Sequence, residues 1–277
     1  MQNMTTFRTF FITLMLLSAT LIYADNGVVV NLWQNNMPED NGDPSDIPFM
    51  KVFLPDANRS AGRAVLIIPG GEYDKLNIEN EGYGWIPFFK KMGITAVVLK
   101  YRLPNGNKNV PIADAERAMA LLRANASQWN IKRNEIGVMG FSAGGHLASY
   151  LATHYQNETK PDFQILMYPV ITMMDGFANK EARRNFLGES PKKKTSRLYS
   201  NDMHVTRITP RALIMLSDDD PVVTPSNGVN YYNELYRHDV PASLYVFPAG
   251  GHGWGMDESF DHHIEMQLLL KAWFASF

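Results

Sequence analysis

The chain has 277 residues, of which 45% are hydrophobic and 19% charged, and its formal net charge is -2 at pH 7. This is the composition of an ordinary globular protein, long enough for one large domain, and its weak net charge gives no basic field to attract nucleic acid or an anionic membrane surface. Cysteine is absent, which excludes disulfides, cysteine metal ligands and cysteine nucleophiles.

The first element along the chain is a predicted export signal. Arg8 supplies a positive charge, residues 9–22 form an apolar stretch, and Ala24 precedes a polar segment. This stretch is shorter than the ~20 residues of a membrane-spanning helix, although an uncleaved anchor remains an alternative. We therefore expect a signal peptide over residues 1–24, cleavage after Ala24, and a mature protein that is secreted or periplasmic and leaves the membrane.

After the signal, short apolar runs alternate with longer amphipathic runs. The short runs predict strands at residues 50–54, 64–68, 95–99, 136–139, 164–168, 212–216 and 244–247. The amphipathic runs predict helices over residues 84–92, 112–130, 143–154, 226–237 and 259–274. Continuously apolar strands are typical of a parallel sheet that is buried on both faces. The pattern predicts one α/β domain over residues 25–277, with a mostly parallel central sheet and helices on both faces.

Residues 171–209 interrupt this alternation, because they are polar and irregular and carry three consecutive lysines near the middle. A connection of this length in a compact domain is usually functional or mobile. We expect it to form a small cap insertion over the active site. The lysine run, residues 192–194, is more typical of a solvated face than of a ligand site.

The candidate nucleophile is Ser142, in the sequence Gly-Phe-Ser-Ala-Gly at residues 140–144. A strand pattern precedes this motif and a helix pattern follows it, as in the sharp turns that expose a nucleophilic serine. Small residues flank the serine because the turn brings the backbone segments close together. The start of the new helix can then offer free N–H groups to a developing negative charge.

A serine hydroxyl needs a neighbouring base, and His252 is the candidate. It lies in Ala-Gly-Gly-His-Gly-Trp-Gly at residues 249–255, a flexible loop directly after the last predicted strand. The six other histidines have less suggestive surroundings, and His146 is expected to pack beneath the serine turn. A third group, a carboxylate, must fix the tautomer of this histidine and stabilise the imidazolium.

That carboxylate comes from Asp218, Asp219 or Asp220, which follow a predicted strand. Asp220 is preferred because Asp-Pro-Val-Val at residues 220–223 matches the turn that such acids occupy, and Asp219 is the alternative. The chain order serine, aspartate, histidine is that of α/β-hydrolases and differs from the orders in chymotrypsin and subtilisin.

An oxyanion site also needs N–H groups near the end of an early strand. Pro-Gly-Gly-Glu-Tyr at residues 69–73 meets this need, so Gly71 or Glu72 is expected to donate together with Ala143. A simple turn is the alternative interpretation of this segment. Phosphate-binding glycine motifs and H-E-x-x-H are absent, so we expect neither a nucleotide cofactor nor a metal.

At these motifs the chain resembles the bacterial acetylxylan esterase and feruloyl-esterase-related branch of the α/β-hydrolases. The resemblance covers most of the chain and is carried by residues 69–73, 98–104, 137–146, 218–223 and 250–255. Many members of that branch have a third glycine where Glu72 stands and a proline where Thr224 stands. The resemblance implies the α/β-hydrolase fold and a secreted serine esterase that removes acetyl groups from xylan or a related glycan without a metal.

Two aromatic side chains beside the motifs, Tyr73 and Trp254, could stack on a sugar ring or serve only in packing. Two other functions remain open on the sequence alone. A peptidase of the prolyl-oligopeptidase type has the same order of triad residues, although such enzymes normally add a large N-terminal domain. A catalytically silent binding protein with the hydrolase fold is the second alternative, and the complete set of motifs argues against it.

Overall fold

The computed structural model describes residues 27–34, 36–156 and 158–277, and the predicted signal peptide lies outside them. Eight strands form one sheet in the order β1-β2-β4-β3-β5-β6-β7-β8. They are β1 Val28–Asn31, β2 Phe49–Phe53, β3 Ala64–Ile68, β4 Thr95–Lys100, β5 Ile136–Phe141, β6 Phe163–Met167, β7 Arg211–Ser217 and β8 Ala242–Phe247. Strand β2 is antiparallel to both of its neighbours, and all the other pairs are parallel. The predicted α/β architecture with a mostly parallel sheet is confirmed.

Seven α-helices accompany the sheet over the described residues. They are α1 Ile86–Lys91, α2 Asn109–Ala124, α3 Ser142–Thr153, α4 Lys180–Leu187, α5 Lys193–Leu198, α6 Ser226–Arg237 and α7 His263–Phe274. None of these described helices combines the length and apolar character needed to cross a lipid bilayer.

The sheet separates two apolar cores, because successive residues of a strand point to opposite faces. In β3, Leu66 and Ile68 belong to one core while Val65 and Ile67 belong to the other. The first core also contains residues of α2, α3, α4 and α6, and the second contains residues of α1 and α7. Helices therefore cover both faces, which explains why most strand residues are apolar without alternation.

The predicted elements differ from the structure mainly at the edges. Strand β1 was not expected, since its apolar run is only three valines long and its residues are exposed or half-buried. Helix α2 begins at Asn109 and ends at Ala124, earlier at both ends than the predicted 112–130. Its Pro111 lies in the first turn, where a proline is tolerated because the first N–H groups have no partner within the helix.

The irregular segment 171–209 contains the short helices α4 and α5. Ala182 and Phe186 of α4 are buried in the first core, so this part of the segment packs firmly on the domain. Lys192, Lys193 and Lys194 are exposed, in accordance with the solvated face expected for them.

Candidate active site

The turn that carries Ser142 joins β5 directly to α3, with no intervening residue. Ser142 has a φ of 48°, a left-handed conformation that is uncommon for a residue other than glycine. A Cβ atom on Gly144 would lie 2.1 Å from the carbonyl oxygen of Ile68, and one on Gly140 would lie 2.3 Å from that of Gly144. The two glycines are therefore required by close backbone packing, as the motif predicts.

The structure brings Ser142, His252 and Asp220 together in one hydrogen-bonded chain. Nε2 of His252 lies 2.8 Å from Oγ of Ser142, and Nδ1 lies 2.7 Å from Oδ2 of Asp220. Because a carboxylate only accepts, Nδ1 carries the proton and donates it. Nε2 is then free to accept the hydrogen of the serine hydroxyl. This is the arrangement in which an imidazole can remove a proton from a nucleophile.

The neighbouring aspartates have different partners. The second oxygen of Asp220, Oδ1, accepts hydrogen bonds of 2.8 and 2.9 Å from the backbone N–H groups of Val222 and Val223. These bonds fix the carboxylate in the orientation that faces the ring. Asp219 instead accepts a 2.8 Å hydrogen bond from the N–H of Gly251, and so contacts the backbone of the histidine loop rather than the imidazole. Between the two candidates, the geometry places Asp220 against the histidine.

The loop after β3 lies beside the nucleophile. A Cβ atom on Gly70 would lie 2.9 Å from Cβ of Ser142, and the next residues, Gly71 and Glu72, have φ values of 123° and 57°. Among the described residues, the N–H groups of Gly71, Glu72 and Ala143 donate to no protein acceptor. Free backbone N–H groups close to a serine hydroxyl are what an oxyanion requires. We call residues 69–73 the oxyanion loop.

Helix α4 contacts the loops on two sides of the site through asparagine side chains. Asn179 caps the helix by accepting from the N–H of Ala182 at 2.7 Å, and its Nδ2 donates to the carbonyl oxygen of Val222 at 3.0 Å. Nδ2 of Asn185 donates to the carbonyl oxygen of Glu72 at 2.9 Å. The sequence analysis missed both asparagines. An asparagine ahead of a helix is a recognisable capping signal, but its second contact depends on the tertiary structure.

Tyr73 and Trp254, the two rings considered for sugar stacking, are both buried, with 1% and 4% of their surface exposed. Tyr73 stacks on Phe186 with ring centres 4.7 Å apart, and Trp254 stacks on Phe260 at 4.6 Å. Nε1 of Trp254 donates to Oγ of Ser217. Both rings therefore pack against other aromatic side chains in this arrangement. Trp254 also lines the groove beside His252, and stacking of a sugar on either ring stays a prediction.

His146, four residues after the nucleophile, lies fully buried beneath the oxyanion loop. Its Nε2 lies 2.8 Å from the carbonyl oxygen of Tyr199, which can only accept, so this nitrogen carries the proton. Nδ1 consequently accepts the hydroxyl proton of Tyr73 over 2.9 Å. Burial lowers the pKa of His146 to about 4, so the ring is neutral near pH 7. As predicted, this histidine packs under the nucleophile turn.

No group of three or more histidine, aspartate and glutamate side chains among the described residues is arranged to hold a metal ion. The chemistry visible at the site is that of a hydroxyl, an imidazole, a carboxylate and free N–H groups. These groups suit acyl transfer.

Comparison with known proteins finds curated relatives that align with most of the chain. The chain is 39% identical over 233 residues to an acetylxylan esterase of Xylanibacter ruminicola, an alignment that covers 82% of this chain and 48% of that protein. It is 31% identical over 268 residues to endo-1,4-beta-xylanase B of Butyrivibrio fibrisolvens, covering 88% of this chain and 41% of the relative. The chain thus spans less than half the length of either curated relative.

A solved structure supports the same relationship. The acetyl ester-xyloside bifunctional hydrolase of Caldicellulosiruptor lactoaceticus superposes with a TM-score of 0.84 at 31% identity, covering 91% of this chain and 96% of that one. The BD-FAE family model matches residues 50–235, which include the oxyanion loop, the nucleophile turn and the aspartate. The predicted resemblance to this branch of esterases is confirmed, and the chain belongs to the BD-FAE family within the α/β-hydrolases.

Proposed function

We propose that this protein is a serine carboxylic-ester hydrolase, with Ser142 as nucleophile, His252 as general base and Asp220 as the orienting acid. The observation that carries the proposal is the chain of contacts of 2.8 Å from Oγ to Nε2 and 2.7 Å from Nδ1 to Oδ2. The relatives support it, since they include an acetylxylan esterase and an acetyl ester hydrolase.

In the proposed mechanism, Oγ of Ser142 attacks the carbonyl carbon of the ester while Nε2 of His252 takes its proton. Negative charge develops on the carbonyl oxygen, where the N–H groups of Ala143 and of Gly71 or Glu72 stabilise it. The imidazolium then gives its proton to the leaving alcohol as the C–O bond breaks. Water, activated by the same imidazole, hydrolyses the acyl-enzyme and restores the serine.

We further propose that the substrate is an acetyl ester of xylan or of its oligosaccharides. The leaving alcohol receives its proton from His252, so the leaving group must lie on the side of that ring. A groove of about 250 Å³ opens there, with polar side chains from Asp257, Ser259 and Asp261 in its lining. The carboxylates can accept hydrogen bonds from the hydroxyls of a sugar, and the serine hydroxyl can both donate and accept. The names of the two xylan-related relatives point to the same polysaccharide.

The first experiment compares wild type with Ser142→Ala on a short-chain chromogenic ester. We expect the substitution to remove nearly all turnover, because the residual catalysis of such sites without their nucleophile is small. Ser149→Ala is the matched control, since Ser149 is another buried serine of α3 but donates to the carbonyl oxygen of Gly145 and lies outside the triad. Unchanged turnover in Ser142→Ala would overturn the proposed function.

A second experiment separates the substrates. Acetate release from acetylated xylan and xylo-oligosaccharides is compared with release of ferulate from feruloyl esters and of acetate from acetylated chitin fragments. Preference for the xylan substrates supports the proposal, and preference for either of the others replaces the substrate while leaving the chemistry intact. A peptide amide substrate tests the peptidase alternative in the same assay series.

We propose, finally, that the mature protein is exported. The support is the sequence of residues 1–24, with its single arginine, apolar stretch and Ala24. Mass spectrometry of the protein recovered from the periplasm or medium of a Gram-negative expression host is expected to show an N-terminus at Asp25. Full-length protein retained in the membrane fraction would favour the uncleaved anchor instead.

A further inference from the structure

Beneath the oxyanion loop lies a buried carboxylate that the proposed mechanism does not use. Glu81 has 1% of its surface exposed, and both of its oxygens accept hydrogen bonds. Oε2 accepts from the N–H of Gly70 at 2.7 Å, and Oε1 accepts from the hydroxyl of Tyr168 at 2.9 Å. A buried carboxylate is costly unless its oxygens are satisfied, so this arrangement favours a specific purpose over simple packing.

Tyr168 extends the contact from Glu81 to the histidine loop. Its hydroxyl oxygen accepts from the N–H of Gly255 at 3.0 Å, and its ring meets that of His252 edge-on with centres 4.7 Å apart. The backbone of Tyr168 has a φ of 37°, a left-handed conformation that is strained for a bulky side chain. Strain of this kind persists where the surroundings hold a residue in place, and it clusters at functional sites.

The residue before Glu81 holds the same loop at two further points. Nδ2 of Asn80 donates to the carbonyl oxygen of Gly253 at 3.0 Å, and its Oδ1 accepts from the N–H of Met256 at 3.0 Å. Asn80 therefore contacts the loop after the catalytic imidazole directly, whereas Glu81 reaches it through Tyr168 and also contacts the oxyanion loop.

The groups around Glu81 influence the charge of its carboxylate. Burial raises the pKa of Glu81, while the hydrogen bonds from Gly70 and Tyr168 and the positive charge that His252 can acquire act in the opposite direction. The other groups that face the carboxylate are Asn77, which also donates a hydrogen bond to it, and the phenol of Tyr101. Burial raises the pKa of the phenols of Tyr101 and Tyr168, so both are neutral near pH 7. When its imidazole is protonated, His252 is therefore the group whose positive charge acts on Glu81.

We propose that Glu81 is a positioning residue for ester hydrolysis. It holds the oxyanion loop and the loop that carries His252 in the relative position that the reaction needs, and its charge stabilises the imidazolium of His252. The proposal rests on the triad function proposed above. Glu81 does not touch the ester, and it acts through Gly70 on one side and through Tyr168 on the other. Its negative charge favours the protonated imidazole that forms as the serine attacks.

The first test replaces Glu81 by glutamine, which keeps the size and removes the charge. We expect kcat to fall about 10- to 100-fold with little change in KM, the loss typical of a misplaced reacting group. The acid limb of kcat/KM against pH should move to lower pH, because the protonated imidazole loses a favourable charge. Glu79→Gln is the matched control, since Glu79 is exposed two residues away, and it should leave both quantities unchanged.

Tyr168→Phe separates the two parts of the proposal. This variant keeps the charge of Glu81 and the ring beside His252 but removes the hydroxyl that links Oε1 to Gly255. We expect kcat to fall while the acid limb stays in place. A folded Glu81→Gln enzyme with wild-type kcat and an unmoved acid limb would overturn the proposal. If that variant does not fold, wild-type kcat in Tyr168→Phe would do the same.

A measurement without turnover distinguishes this proposal from the function on which it rests. The imidazole of His252 is titrated by NMR in Ser142→Ala and in the double variant with Glu81→Gln. The midpoint should be lower in the double variant, whatever the substrate of the enzyme is, and equal midpoints would contradict the electrostatic role. If the wild type shows no hydrolysis that depends on Ser142, the triad function itself is wrong.

Discussion

Nδ2 of Asn185 donates a hydrogen bond of 2.9 Å to the carbonyl oxygen of Glu72, a residue 113 positions earlier in the chain. Glu72 stands in a left-handed conformation with a φ of 57°, which an isolated chain would rarely adopt at a glutamate. The bond comes from α4, within the segment that interrupts the α/β alternation. This segment therefore supports the backbone that offers N–H groups to the oxyanion.

Asn185→Ala is expected to lower kcat by about ten-fold, since an oxyanion donor that loses its support is displaced from its best position. KM should change little because the ground-state ester makes weaker use of these N–H groups. Steady-state kinetics on a short-chain ester measure both. Arg184→Ala, one position earlier on the exposed side of α4 where it pairs with Glu181, is the control and should retain wild-type kcat. Equal kcat in both variants would show that the bond to Glu72 is not needed.

The two adjacent aspartates provide an internally controlled test of the triad. Asp220→Asn should reduce kcat by about 10⁴-fold, because an amide in this position stabilises the wrong tautomer of the imidazole. Asp219→Asn loses the same charge, but its amide oxygen can still accept the N–H of Gly251 that Asp219 accepts at 2.8 Å. We expect it to stay within a few-fold of wild type in the same assay. The reverse ranking would reassign the acid to Asp219.

The sequence predicted the parts of this molecule that depend on local chemistry. Continuous apolar runs located seven of the strands, and the glycines around Ser142 identified a turn that only such residues allow. Their positions directly after predicted strands selected His252 and the aspartates after β7, because the ends of parallel strands meet at one edge of the sheet. Strand β1 was missed because it is an edge strand with exposed and half-buried side chains, and it lacks the longer apolar run of the buried strands.

The missed contacts depend on distant residues. Nothing near Glu81 or Asn185 in the sequence indicates that they reach the oxyanion loop, since those bonds join residues 11 and 113 positions apart. The same limitation affected Tyr73 and Trp254. An aromatic residue beside a catalytic motif can face substrate or core, and the sequence does not show that these two rings pack against Phe186 and Phe260.

Gly144→Ala tests the steric basis of the nucleophile turn. The new Cβ atom would lie 2.1 Å from the carbonyl oxygen of Ile68 and 2.5 Å from that of Pro69, and neither backbone atom can rotate away. We expect the free energy of unfolding to fall by about 2–3 kcal/mol, the upper range for overpacking, and hydrolysis to fall because the oxyanion loop is pushed outward. Denaturant unfolding and ester kinetics measure the two effects.

The control for that substitution is Gly84→Ala. There the closest atoms to an added Cβ are 3.2 Å away and include the flexible side chain of Met256. We expect a loss well below that of Gly144→Ala in unfolding free energy. Similar losses at both positions would mean that backbone entropy or helix propensity, rather than contact with Ile68, determines the need for glycine.

The buried His146 predicts a loss of stability in acid. Burial lowers its pKa from 6.5 to about 4, so the unfolded chain takes up a proton at a higher pH than the folded protein does. The stability that depends on the neutral ring is complete above about pH 6.5 and declines as the pH falls towards 4. This decline amounts to about 3 kcal/mol, and His154, whose pKa is lowered in the same direction, adds to the slope of the wild type.

His146→Gln removes the titrating ring and should therefore flatten this dependence. Urea unfolding at pH 7, 6, 5 and 4 is expected to show wild type clearly more stable at pH 7, with its advantage shrinking steadily towards pH 4. Tyr73→Phe is the control, because it removes only the hydroxyl that donates to Nδ1 and keeps the titrating imidazole, so it should retain an acid slope that His146→Gln lacks. A wild-type advantage that stays constant over this range would show that protonation of His146 does not drive acid unfolding, and that its role beneath the nucleophile is one of packing alone.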